Sequence, residues 1–183
     1  MIASLFHFWF TILTFVVLEV PGFVAVQPAL LPNVVVTTHE GHRTPLREAF
    51  GRGRFAVQLM YTECETTCPL LGGLFRKVDQ QLEAEGADDL KLISITVNPE
   101  HDQVEDLARW RQELKASPRW VAIRANRGEL AQILGTFREM DHDPKAHSRR
   151  VYIVEGRPSG PVFVGLTREL PTAQEIVDAL RGR

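Results

Sequence analysis

The chain has 183 residues, 44% of them hydrophobic, with 21 basic against 23 acidic side chains and a formal net charge of −2. That length fits one domain plus an N-terminal appendage, and the balanced charge without a basic stripe or acidic block excludes a nucleic-acid binder and an acidic tail. The apolar content suffices for a buried core, so neither disulfide staples nor a metal are needed merely to fold.

From the N-terminus, Ile2 to Leu18 is an almost unbroken apolar run, relieved only by Ser4, His7, Thr11 and Thr14, and ended by Glu19 and Pro21-Gly22. Its length lies at the lower limit for a membrane span and slightly above a usual signal h-region. No Lys or Arg precedes Arg43, so the basic flank of a signal is missing. A terminal helix with no polar face does not suit a soluble core. The expected division is therefore residues 1–27 as export signal or uncleaved membrane anchor and residues 28–183 as the globular domain. That domain is expected outside the cytoplasm, on a periplasmic or intermembrane-space side.

Pro32 to Thr38 reads as a short strand opening the domain, and His39-Glu-Gly-His42 as a polar hairpin turn. Two histidines three apart also invite a metal reading, but no cysteine or further histidine lies near them in sequence. Leu46 to Phe50 suits one helical turn. Phe55 to Tyr61 is strand-like, and Leu71, Leu74, Phe75, Val78 and Leu82 recur at the spacing of one helix face. Pro69 fits the first turn of that helix, and Gly86 its stop. Lys91 to Val97 reads as a buried strand, which completes a parallel, right-handed βαβ unit.

Asp102 and Glu105 form a candidate N-cap pair for a helix carrying Val104, Leu107, Ala108 and Leu114. Trp120 to Ile123 suggests another strand, and Asn126 with Glu129 caps a helix carrying Leu130, Ile133, Leu134 and Phe137. Val151 to Val154 and Pro161 to Gly165 make a hairpin by composition. Thr172 and Glu175 cap a last helix with Ile176, Val177 and Leu180. A central mixed sheet flanked by helices accommodates this order, and the expected class is α/β with a thioredoxin-like core.

The only two cysteines, Cys64 and Cys68, stand where the Phe55–Tyr61 strand passes into the next helix. Close to the positive end of a helix dipole, a thiolate is favoured over a thiol, and the thiolate is the form that attacks disulfides or binds metal. A purely structural disulfide here would close about five residues and stabilise only on the order of 2 kcal/mol. In the expected topology the polar stretch Met140 to Ser148 returns to the same end of the sheet, bringing His147 and, as a spare candidate, His142. Two sulfurs and an imidazole suit copper in both oxidation states, Cu(I) through thiolate and Cu(II) through imidazole. A closed structural zinc site would want a fourth protein ligand.

Tyr61-Thr-x-Cys64-x-x-x-Cys68-Pro69 resembles the signature of the Sco/SenC family of copper-binding, thioredoxin-like proteins. Thr96-Val-Asn-Pro-Glu-His-Asp102 resembles that family's T-V-D-P-E-R-D stretch, and His147-Ser148 its ligand histidine. The resemblance spans roughly Asn33 to the C-terminus. It implies Cys64, Cys68 and His147 as copper ligands, with Cys64 and Cys68 as a redox-active pair. It also implies an assembly factor rather than a turnover enzyme. Such a factor delivers copper to the binuclear copper site of a respiratory cytochrome c oxidase, or reduces that site's cysteines. The implied partners are the copper-accepting oxidase subunit or another exported cuproprotein, and the membrane if the N-terminal run is retained. The chain departs from the family at Glu65-Thr66, Asn98, His101 and Ala146, none of them an implied ligand. The competing class is an extracytoplasmic thiol–disulfide oxidoreductase. The Cys-x-x-x-Cys spacing is one residue longer than the usual redox pair, and a dithiol exchanger does not need His147. A peroxidase is weaker still, because Tyr61 stands where its Thr-x-x-Cys context would need threonine.

Overall fold

The structure is a computed structural model that describes residues 22–64, 68–139 and 146–182. The apolar run at 2–18, His142 and the Glu65-Thr66 departure lie outside the described residues. The elements are β1 (Phe23–Leu30), β2 (Val35–Thr38), β3 (Arg43–Pro45), α1 (Leu46–Phe50), β4 (Gly53–Met60), α2 (Cys68–Ala84) and β5 (Leu90–Thr96). They continue as α3 (Val104–Glu113), β6 (Trp120–Arg124), α4 (Arg127–Phe137), β7 (Tyr152–Arg157), β8 (Gly160–Thr167) and α5 (Ala173–Arg181). One eight-stranded mixed sheet carries them all, in the order β1-β8-β7-β4-β5-β6-β2-β3.

The centre is parallel, with β4 beside β5 and β5 beside β6; β7 runs antiparallel on the other side of β4, and β8 antiparallel to β7. Because helices cover both faces, these strands read as continuous apolar runs whose side chains still alternate. Phe55, Val57 and Leu59 of β4, with Ile93 and Ile95 of β5, meet Ile133, Leu134 and Phe137 of α4 on one face. Ala56 and Leu92 meet Phe75, Val78 and Leu82 of α2 and Ile176, Val177 and Leu180 of α5 on the other. Within this second face, Ser94 accepts from Gln58 Nε2 at 2.7 Å and from Trp120 Nε1 at 2.8 Å, so the buried polar groups find one another.

The caps explain the ends. Asn126 accepts from the Glu129 amide at 2.9 Å and Thr172 from the Glu175 amide at 3.2 Å, as the sequence pattern predicts. Gly86, at φ 64°, takes the left-handed conformation that closes α2. The His39–His42 segment is the expected turn, joining β2 to β3 with Gly41 at φ 83° and Thr38 N–H donating to His42 O at 2.9 Å.

One expectation is corrected. The N-cap of α3 is Gln103, whose amide donates to Asp106 at 3.0 Å, not Asp102 with Glu105. Asp102 is buried at 1% exposure and tied to other loops, so it has no room to serve a helix end facing solvent. At the start of the described chain, β1 (Phe23–Leu30) pairs antiparallel with β8, a strand that the sequence does not announce. Pro28 disguises it: proline cannot donate to a ladder, but an edge strand tolerates it, and the β1 register breaks between Ala25 and Ala29.

Candidate metal centre

Open α/β sheets place their sites beyond the carboxyl ends of parallel strands, and β4 ends at Met60 directly before the cysteine turn. There the Cys64 amide donates to Tyr61 O at 3.3 Å, making a tight turn. The Cys64 side chain is buried at 7% exposure against Met60, Leu107 and Ala122. The backbone of Cys68 opens α2, whose first turn carries no acidic residue to oppose a thiolate. β7 lies beside β4, and so the chain entering β7 comes back to the same end. The His147 ring meets Tyr61 edge-on, centroids 6.0 Å apart and planes at 88°. Tyr61 thus joins the turn bearing Cys64 to the loop bearing His147.

The His147 loop is held by its own bonds. His147 Nδ1 lies 2.9 Å from Ser148 O, and a carbonyl only accepts, so Nδ1 donates in this contact. A metal-binding imidazole is usually oriented by such a bond from its other nitrogen. Glu169 accepts from Ser148 Oγ at 3.0 Å and from the Arg149 amide at 3.1 Å. Upstream, the Tyr152 hydroxyl donates to Glu139, which ties the residue just before the loop to the start of β7. Burial, reinforced by that bond, pushes the Tyr152 hydroxyl far above the ordinary tyrosine range, so it stays a donor.

The second loop at this end is fixed by Asp102. Its carboxylate accepts the Thr62 amide at 3.1 and 3.2 Å, the Thr62 hydroxyl at 2.5 Å and the Thr96 hydroxyl. Arg124 holds the same loop from β6 by donating to Pro99 O at 2.5 Å. Beside the first turn of α2, Pro69, Leu70, Leu74, Leu170 and Pro171 line an open groove of about 350 Å³.

The structure therefore places Cys64, the backbone of Cys68 and His147 at one end of the sheet, while His39 and His42 lie in another cleft altogether. Among the described residues, no three His, Cys, Asp or Glu side chains form a metal set. The donor types of Cys64 and His147 nonetheless suit copper, a thiol in an apolar cluster and an imidazole packed on the tyrosine of the same turn. The roles of Tyr61, Asp102 and Glu169 escape sequence reasoning. Glu169 lies 21 positions beyond Ser148 and Asp102 lies 40 beyond Thr62, so no local pattern connects them.

A mixed eight-stranded sheet of this order, with cysteines at the turn from its central strand into a helix, is that of a thioredoxin-like protein. The chain belongs to the SCO1/SenC family, whose model matches residues 32–181. It is similar to the mitochondrial SCO2 homolog of Bos taurus, 29% identical over 152 residues that make up 76% of this chain and 55% of the relative. The chain spans about half the length of the curated relatives it matches. Among solved structures it resembles BsSco, a member of the Sco family of cytochrome c oxidase assembly proteins with an identified disulfide switch. That likeness has a TM-score of 0.69 at 21% identity, covering 84% of this chain and 92% of BsSco. It also resembles Bradyrhizobium japonicum ScoI with copper bound, TM-score 0.66 at 20% identity, covering 84% and 99%.

Proposed function

We propose that this protein is a copper-binding assembly factor in which Cys64, Cys68 and His147 hold the ion. The observation that carries the reading is the packing of His147 on Tyr61, three positions before Cys64, which brings an imidazole to the sulfur turn. Two thiolates satisfy Cu(I), and an imidazole added to them extends the set to Cu(II). The donors come from two loops, so the ion can be surrendered by separating the loops without unfolding the sheet. The copper held in solved relatives such as Bradyrhizobium japonicum ScoI supports the same chemistry here.

The acceptor in this reading is the copper-accepting subunit of a cytochrome c oxidase, or another exported cuproprotein. The same pair can also reduce an acceptor's disulfide. One thiolate attacks it to form a mixed disulfide, the second resolves it, and two electrons and two protons pass to the acceptor's cysteines. The domain then works outside the cytoplasm, with the apolar run at 2–18 as export signal or anchor. Among the described residues no helix is long and apolar enough to cross a membrane.

The test is to titrate the reduced protein with Cu(I) and Cu(II) and to assay disulfide turnover alongside. One equivalent of each copper state bound tightly, with a sulfur-to-copper charge-transfer band for Cu(II), is expected. Absence of any stable copper complex, with catalytic reduction of a disulfide substrate, would establish the oxidoreductase class instead.

A further inference from the structure

Asp102 is a fully buried carboxylate, at 1% exposure, that among the described residues neither forms an ion pair nor caps a helix. Among the described residues its two oxygens face neutral donors: Thr62 N–H, Thr62 O–H and Thr96 O–H. Burying a carboxylate is costly unless every lone pair is served, so an arrangement like this persists where it fixes something. What it fixes is Thr62, two positions before Cys64. We infer that Asp102 is a positioning residue for the Cys64–Cys68 pair, acting through the Thr62–Cys64 turn. The inference deepens the copper reading and rests on it for the metal arm of its test.

The mechanical path is short. Thr62 is clamped by its amide and its hydroxyl at once, so the backbone between Tyr61 and Cys64 cannot pivot about either bond alone. The Tyr61 carbonyl then receives the Cys64 amide at 3.3 Å, and the Tyr61 ring backs His147. One clamp therefore sets both the departure of Cys64 from β4 and the surface on which the imidazole rests. The clamp itself is stiff. The Asp102 amide donates to Asn98 O at 2.9 Å, the Asn98 amide to Thr96 Oγ1 at 3.0 Å, and the Val97 amide to Met60 O at 2.8 Å. Downstream of Asp102, α3 presents Leu107 to the cluster that buries Cys64. The strand-to-helix turn is thus held from the neighbouring loop on two sides, by a carboxylate and by a leucine.

Asp102→Asn keeps the shape but replaces one acceptor oxygen by a donor that must face a hydroxyl or the Thr62 amide. Thr62→Val removes the hydroxyl half of the clamp and leaves the carboxylate. Both variants are compared with the wild type in two ways. In the copper arm, Cu(II) affinity of the reduced protein should fall about tenfold, the scale on which supporting residues act, and the charge-transfer band should shift. In the metal-free arm, the dithiol–disulfide equilibrium against glutathione is measured. A looser turn lowers the effective concentration of one sulfur at the other, so the disulfide should be disfavoured about tenfold, equivalent to a rise of about 30 mV. Thr96→Val, on the far side of the carboxylate, should do less in both arms. A lowered melting temperature with unchanged band and unchanged equilibrium in both variants would reduce Asp102 to a structural residue. A wild type that binds no copper would sink the copper reading instead, and the metal-free equilibrium would still decide the role of Asp102.

Discussion

Two histidines in this molecule sit in opposite surroundings. At His147 the Nδ1 proton goes to Ser148 O, and the ring rests on Tyr61 beside the turn that carries Cys64. At His39 the ring faces donors on both sides, Arg111 Nη1 at 2.5 Å from Nε2 and the Ala122 amide at 3.4 Å from Nδ1, and the guanidinium, which has only donors, holds Nε2 to accepting. The backbone of His39 joins β6 as well, its amide donating to Ala122 O at 2.9 Å. One histidine therefore packs on the tyrosine of the cysteine turn, and the other is a clasp between the β2–β3 turn and α3. Spacing alone points to a different pair: His39 and His42 are three apart, while His147 stands 83 positions from Cys64.

The largest expected effect falls on the sulfur side of this comparison. Cys64→Ser or Cys68→Ser should each abolish tight copper binding and reversible oxidation together while the melting curve stays cooperative, because Cu(I) and a disulfide both need two sulfurs. Tight binding that survived in Cys68→Ser would move the copper away from this turn, and His39→Gln would then be the variant to try.

Next in size, His147→Ala should weaken Cu(II) by about 100-fold or more, beyond what supporting residues alone usually cost, and remove the charge-transfer band. Cu(I) should fall less, since both thiolates remain. His39→Gln and His42→Gln should leave both copper titrations unchanged. If His142→Ala reproduced the Cu(II) defect and His147→Ala did not, the ligand assignment would pass to His142.

The two sites also differ in how far the sequence reveals them. The cysteine turn is legible because its signals are local: an apolar strand, a proline suited to a first helical turn and a period-3.6 helix follow one another without a gap. Asn126 and Thr172 are legible as caps for the same reason. What sequence does not reveal is pairing over distance. Asp102 looks like a cap because an acid three residues before another acid and a helix usually is one. Only the fold shows its oxygens turned inward to Thr62 and Thr96. β1 is hidden by Pro28 and by two alanines, since edge strands are built from residues that tolerate missing hydrogen bonds.

A smaller effect tests whether both sites share one cooperative unit that includes β1. Phe23 is half-buried against Gly165 of β8, and the Arg168 amide donates to Gly22 O at 3.1 Å. A chain beginning at Gln27 should fold but be less stable than one beginning at Gly22 by about 1–2 kcal/mol, less than the value of one fully buried phenylalanine. Thermal melts of the two would show it. Equal melting temperatures would mean that residues 22–26 add nothing to the sheet.

The smallest effect is the pH response of the His39 clasp, and its sign follows from what surrounds the ring. Burial first, and then the Arg111 guanidinium of α3, hold His39 below the ordinary histidine value; His42 adds slightly to this, while Glu40 and the Ala122 backbone oppose it. A proton on Nε2 would point one N–H at another. The folded state therefore takes up a proton less readily than the unfolded chain, and the stability due to the clasp is present in full above the unfolded value near pH 6.5. It should be lost as the pH falls from there through the folded value, with a slope no greater than about 1.4 kcal/mol per pH unit for a single proton. His39→Gln keeps an amide oxygen to accept from Arg111 and removes the titration. Groups elsewhere cancel when the two proteins are compared, so the difference in their unfolding free energies, followed from pH 7.5 down to pH 5, isolates this ring. The variant should gain on the wild type as the solution is acidified, with the copper titrations of the two proteins superimposable at pH 7.5. A difference that stayed flat over that range would show that the Arg111 contact does not resist protonation, and the contrast between an imidazole spent on a clasp and one offered to a metal would lose its energetic basis.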